Sequence, residues 1–113
     1  MSNCLNHILK KISLEQNQFP SNGNGTLKIY FKNGKVRFKS ILVNGNRDGK
    51  AEWYYKDGQV KFETNYKNGK LDGPLKEYYK NGKLKLSADY IYGKLNEPSK
   101  EYFENGQLVI HEN

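Results

Sequence analysis

Glycines punctuate this chain in a fixed rhythm. Gly34, Gly45, Gly58, Gly69, Gly82, Gly93 and Gly106 follow one another at intervals that alternate strictly between 11 and 13 residues. Asn or Asp precedes Gly34, Gly58, Gly82 and Gly106. Asn-Gly and Asp-Gly are the favoured pairs of a type I′ turn, where both central residues need φ > 0, and between alternating apolar residues they mark a hairpin. The rhythm predicts strands of about 9 and 11 residues joined by two-residue turns. From Gly25 onward the chain should form an antiparallel meander of about seven or eight strands.

The two intervals sum to a repeat of 24 residues. Shifting the chain by 24 aligns Gly25, Gly49 and Gly73, with Glu97 in the fourth place. Tyr30, Tyr54, Tyr78 and Tyr102 fall in one column, and Phe31, Tyr55, Tyr79 and Phe103 in the next. A period of this size means that each copy is one supersecondary unit, stable only when stacked on its neighbours. The expected fold is mainly β, a hairpin-repeat meander in a twisted or curved sheet.

Side chains on a strand alternate between faces. Val36, Phe38, Ser40 and Leu42 then share a core face, repeated by Val60, Phe62, Thr64 and Tyr66 and by Leu84, Leu86, Ala88 and Tyr90. With a two-residue turn at Asn33-Gly34, Phe31 faces Val36 and Ile29 faces Phe38. Glu77 and Glu101 fall where Ile29 and Trp53 stand, so they belong near an edge of the apolar stripe or paired to lysines. The opposite face carries Tyr30 against Arg37, Tyr54 against Lys61 and Tyr78 against Lys85, with Tyr102 continuing the column. This is the candidate partner-binding stripe, since Tyr and Arg are favoured interface anchors. The plainer alternative is that Tyr simply favours strands. The two turn sets, taken as equal in length, also imply a stagger of two residues per repeat, a shear of the kind that barrel closure requires. A bulge at Asp48-Gly49 or Asp72-Gly73 would change that arithmetic.

Residues 1–22 differ from residues 23–113, the repeat domain. Leu5, Ile8, Leu9 and Ile12 have helical spacing, so a short N-terminal α-helix is expected, with Ser2 or Asn3 capping it and Phe19 to Gly25 breaking it. A helix there would cover one end or the apolar face of the sheet.

The 113 residues carry 19 Lys and Arg against 12 Asp and Glu, a formal charge of +7. Such an excess favours an acidic partner, an anionic lipid surface or a nucleic acid, and equally serves solubility and the guarding of sheet edges. Glutamates interrupt the lysines and there is no recognition helix or RNA-binding motif, which ranks nucleic acid third. Cys4 is the only cysteine, which rules out an internal disulfide, and no apolar run approaches the ~20 residues that span a bilayer. With no apolar leader either, the chain reads as cytoplasmic. Cys4, His7 and His111 make no metal-ligand pattern, and the glycines close hairpins and do not open a phosphate-binding helix. No enzyme activity, metal or cofactor is expected.

The unit from Gly49 through Tyr54-Tyr55, Asp57-Gly58 and Val60 to Tyr66, Gly69-Lys70-Leu71-Asp72-Gly73 resembles the MORN-variant repeat, and GPLKEYYKNGKLKL from Gly73 to Leu86 is closer still. The resemblance covers about residues 25–113. It implies stacked β-hairpins and no catalysis. Short bacterial proteins of this class are similar to the YwqK family, described as antitoxin or immunity proteins, which implies a toxin as the acidic partner. Other MORN-type proteins serve as scaffolds or bind anionic phospholipid, which is the second expectation.

Overall fold

The computed structural model describes residues 17–96 and 98–110. The expected helix over Leu5–Ile12 lies outside them. Among the described residues there are nine strands: β1 (Gly25–Tyr30), β2 (Val36–Val43), β3 (Asn46–Tyr54), β4 (Val60–Lys67), β5 (Lys70–Leu71), β6 (Gly73–Tyr78), β7 (Leu84–Ile91), β8 (Lys94–Leu95) and β9 (Lys100–Glu101). They form one sheet in the order β1-β2-β3-β4-β6-β7-β8, with β5 on β4 and β9 on β7. β5 and β6 are one hairpin arm interrupted at Asp72, and β8 and β9 are the two pieces of the next. Counted as arms there are seven, and the Tyr102–Leu108 bridge opens an eighth. That is the expected meander. β1 does not pair with β8 or β9, so the sheet is open.

The two sets of turns differ in kind. At Asn44-Gly45 both residues have positive φ, 50° and 81°, which is the type I′ geometry expected. Asn68-Gly69 and Tyr92-Gly93 repeat it. At Asn33-Gly34 only the glycine does, at 89°. There Gly34 N–H donates to Phe31 O (3.0 Å) and Phe31 N–H to Lys35 O (2.8 Å). This is a three-residue turn closed by a glycine bulge, not the two-residue turn expected. Asn33 favours it by accepting a bond from Lys35 N–H at Oδ1 (2.9 Å), and Asp57, Asn81 and Asn105 do the same for Gln59, Lys83 and Gln107.

The longer turn changes the pairing beyond it. Ile29 faces Phe38 as expected, but the register shifts at Ile29/Tyr30 and Val36 then faces Tyr30, not Phe31. The shift recurs at Trp53/Tyr54 and Glu77/Tyr78, where Val60 faces Tyr54 and Leu84 faces Tyr78. Val36, Val60 and Leu84 therefore leave the expected core face and join the tyrosine column.

The expected stagger is absent. Beside the inter-repeat turn Leu42 faces Arg47, yet one residue back along β2 from Ile41, Ser40 already faces Ala51. Asp48, Gly49 and Lys50 stand against Ile41 alone, so β3 takes up two extra residues. The surplus cancels the stagger. One unbroken line of facing residues crosses the whole sheet: Ile29, Phe38, Trp53, Phe62, Glu77, Leu86, Glu101. Residues 24 apart stand two strands over, about 9.5 Å away along a straight axis.

This alignment lets each copy bond to the next. Tyr55 and Tyr79 hydroxyls donate to Tyr78 O (2.7 Å) and Tyr102 O (2.6 Å). Asn33 and Asn81 Nδ2 donate to Lys56 O and Glu104 O. On the opposite edge Gly45, Gly69 and Gly93 N–H donate to Gly23, Arg47 and Leu71 O. The copies are thus tied at both turn edges as well as through the strands.

Among the described residues substantial contacts run only between strands adjacent in the sheet, so the core they form is one layer deep. Its floor is a row of mostly small residues, in which Ser40, Ala51, Thr64, Leu75 and Ala88 are buried. Phe38, Trp53 and Phe62 wall one side, with ring centroids 4.6 and 4.9 Å apart. Arg47 closes over the floor, its guanidinium 5.4 Å from the centroids of both Phe38 and Tyr66. Ser40 Oγ and Thr64 Oγ1 have no hydrogen-bond partner among the described residues, so at these positions the side chains serve by their small size.

Candidate binding faces

The register shift decides what each face offers. Arg37, Lys61 and Lys85, expected beside Tyr30, Tyr54 and Tyr78, lie instead over the preceding aromatic column. The Arg37 guanidinium is 5.8 Å from the Phe31 ring centroid, Lys61 Nζ 5.8 Å from that of Tyr55, and Lys85 Nζ 5.6 Å from that of Tyr79. Lys80 Nζ adds a second cation 6.0 Å from Tyr55. Trp53, Lys61, Phe62 and Glu77 line one shallow hollow, which places Lys61 on the face of the aromatic wall. Arg37, Lys61 and Lys85 are all exposed. Glu77 meets Lys85 at 3.5 Å, the lysine pairing expected for a carboxylate set into an apolar line.

The other face holds the tyrosine column. Tyr30, Tyr54, Tyr78 and Tyr102 are half-buried against Val36, Val60, Leu84 and Leu108. Their hydroxyls are partly engaged within the fold. Tyr78 donates to Glu63 Oε1 (2.8 Å), and Tyr54 stands beside Glu52. The same carboxylates meet lysines, Lys39–Glu52 at 3.7 Å and Lys50–Glu63 at 3.9 Å. The structure therefore separates most of the seven expected stripe residues: the four tyrosines stand half-buried in one column and the three cations lie over rings, with Tyr30 and Arg37 still lining one hollow beside Asn33.

Burial pushes the Tyr54 and Tyr78 phenols up to about 12, with the adjacent carboxylates of Glu52 and Glu63 adding to the effect. A phenol whose folded-state value lies above its unfolded value of 10 stabilises the fold fully below pH 10 and ceases to do so as pH rises through 12. Stability should accordingly fall between pH 10 and pH 12, and phenolate absorbance should show two tyrosines titrating late. Glu63→Gln should move both earlier, Tyr78 the more because it bonds to that carboxylate; a single transition near pH 10 would contradict the geometry.

Sequence reasoning missed the aromatic seats of the cations and the roof formed by Arg47. The only signal for the first was the column Phe31, Tyr55, Tyr79 standing six residues before the cation column. Among the described residues no group of three or more His, Cys, Asp or Glu could hold a metal ion, and no helix is long and apolar enough to cross a membrane. The two faces present charged groups, aromatic rings and hydrogen-bonding side chains.

Comparison with curated proteins gave no match. A family model did match: the MORN repeat variant, over residues 23–44, 47–68, 71–92 and 98–113. The first three segments start 24 residues apart, the period of the structure, and the four together cover most of the chain, so this protein belongs to the MORN repeat variant family.

Proposed function

We propose that this protein is a non-catalytic binding module that docks an acidic protein partner in the cytoplasm, in the manner of an antitoxin that neutralises its cognate toxin. One observation carries the reading: Arg37, Lys61 and Lys85 stand exposed in line, one per copy, each held over an aromatic ring. Their about 9.5 Å interval follows from the unstaggered sheet. A cation seated on a ring keeps its charge accessible while its stem is ordered, so less side-chain entropy is lost on contact; Lys85 shares its charge with Glu77 at 3.5 Å, so Arg37 and Lys61 carry most of the attraction. The tyrosine column on the other face contributes chiefly to the sheet, through half-burial against Val36, Val60 and Leu84 and the bond of Tyr78 to Glu63.

The test compares wild type with the triple variant Arg37→Gln, Lys61→Gln, Lys85→Gln by titration against poly-L-glutamate at low salt. The variant should bind about tenfold more weakly, some 1.4 kcal/mol, with the folded spectrum retained. Unchanged affinity would remove this face from the function. Parallel titrations use vesicles with and without phosphatidylserine, and duplex DNA. Tighter binding to either would replace the acidic protein with that class of partner.

A further inference from the structure

At the second and third inter-repeat turns the chain departs twice from what the fold favours. The type I′ turn calls for a residue that tolerates left-handed backbone, and the first two copies supply Asn44 and Asn68. The third supplies Tyr92, at φ 47°. A bulky side chain is disfavoured in this region, and nothing in the turn requires one. Immediately beside it, across the preceding turn, Lys67 faces Lys70 directly in the β4–β5 ladder. Like charges opposite one another destabilise a pair. Lys28 faces Lys39 and Glu52 faces Glu63 elsewhere in the sheet, but there Glu52 reaches back to Lys39 and Glu63 to Lys50. Lys67 and Lys70 meet no carboxylate among the described residues.

The two departures converge. Lys67 Nζ and Lys70 Nζ lie 5.9 and 5.8 Å from the centroid of the Tyr92 ring. Tyr92 is 51% exposed, and beside it Ile91 and Leu95 are 55% and 49% exposed. Asp72 accepts the Tyr92 backbone N–H at Oδ1 (3.0 Å). Two ammonium groups held against one exposed ring, with apolar side chains alongside, form a patch complementary to carboxylates. Departures from local rules concentrate where a surface serves something other than its own fold.

We infer that Tyr92, Lys67 and Lys70 form a second contact for the acidic protein partner, with the two lysines receiving a carboxylate cluster and the Tyr92 ring acting as its anchor. This rests on the proposed function above. It adds a contact at the opposite turn edge from Phe31, Tyr55 and Tyr79, so the partner is engaged at both edges of the sheet.

The experiment titrates poly-L-glutamate at low salt into four proteins: wild type, Tyr92→Asn, Lys67→Gln with Lys70→Gln, and the charge-matched control Lys28→Gln with Lys100→Gln. Thermal unfolding is measured on each. The Lys67/Lys70 variant should lose about tenfold in affinity and the control no more than about threefold. Tyr92→Asn should weaken binding about threefold while unfolding at an equal or higher temperature, because asparagine suits the turn. Equal losses in the two lysine pairs would reduce the effect to net charge and overturn the inference. So would Tyr92→Asn unfolding at a lower temperature with unchanged binding, which would make the ring a structural seat for the lysines. If wild type fails to bind poly-L-glutamate, the proposed function fails and this contact with it. If the Arg37, Lys61, Lys85 variant loses affinity and the Lys67/Lys70 variant does not, this contact alone is wrong.

Discussion

Trp53→Ala should lower the unfolding free energy by about 3 kcal/mol, the low end for a large aromatic truncation because the side chain is only half-buried. Trp53 stands between Phe38 and Phe62, at 4.6 and 4.9 Å, in a core one layer deep. Among the described residues no second layer closes over the gap, and two ring contacts are lost together, each contributing about 0.5–1.5 kcal/mol beyond its buried area. Urea unfolding checks this directly: the midpoint should fall with the slope unchanged. A loss under about 1 kcal/mol would mean that the aromatic wall does not hold the first two copies together. A reduced slope would show the copies unfolding separately, as nearest-neighbour coupling in a repeat protein allows.

Gly49→Val should cost about as much, some 3 kcal/mol, through the backbone alone. Gly49 sits at φ 113°, where a side chain is disfavoured whatever space surrounds it. A Cβ there would also stand 3.2 Å from Ile41 Cδ1, a contact that the flexible isoleucine can relieve. The backbone term is the larger because this glycine lies in the two-residue surplus that brings β3 back into line with β2. Gly73→Val tests the same reasoning at φ 111°, with the nearest neighbour, Asn65 Cβ, no closer than 3.5 Å. If Gly73→Val is tolerated and Gly49→Val is not, crowding by Ile41 dominates and the conformational argument is wrong. Circular dichroism melts of the two variants separate the cases.

The division of labour between faces was partly legible in the sequence. Period two placed Ile29, Phe38, Phe62 and Leu86 on one face, and the structure keeps them in one line across the sheet. Glu77 was legible as an acid needing a lysine, and it meets Lys85. The pairing of Tyr30 with Arg37 was not legible correctly. It depended on counting two residues in the Asn33-Gly34 turn, and the turn has three. A one-residue change of register exchanges the faces of everything between the turn and the next correction. That is why Arg37, Lys61 and Lys85 appear over Phe31, Tyr55 and Tyr79, while Val36, Val60 and Leu84 join the tyrosines. Tyr92 escaped notice for a related reason. As a letter it is an ordinary strand residue, and only its φ of 47° and the lysines above it make it unusual.

By itself the sequence determined where the chain turns, how often it does so and which side chains recur together. Asn-Gly and Asp-Gly have few conformations open to them, and a 24-residue period leaves little choice but stacked hairpins. The tertiary structure decided the register. The local bonds of Asn33, Asp57, Asn81 and Asn105 favour the three-residue turn, and the bulges then bring residues 24 apart into line, which lets bonds form between copies, such as Tyr55 to Tyr78 O and Gly69 N–H to Arg47 O. That alignment removes the stagger, leaves the sheet open and places three cations in a row on a face where the spacing of residues alone did not put them.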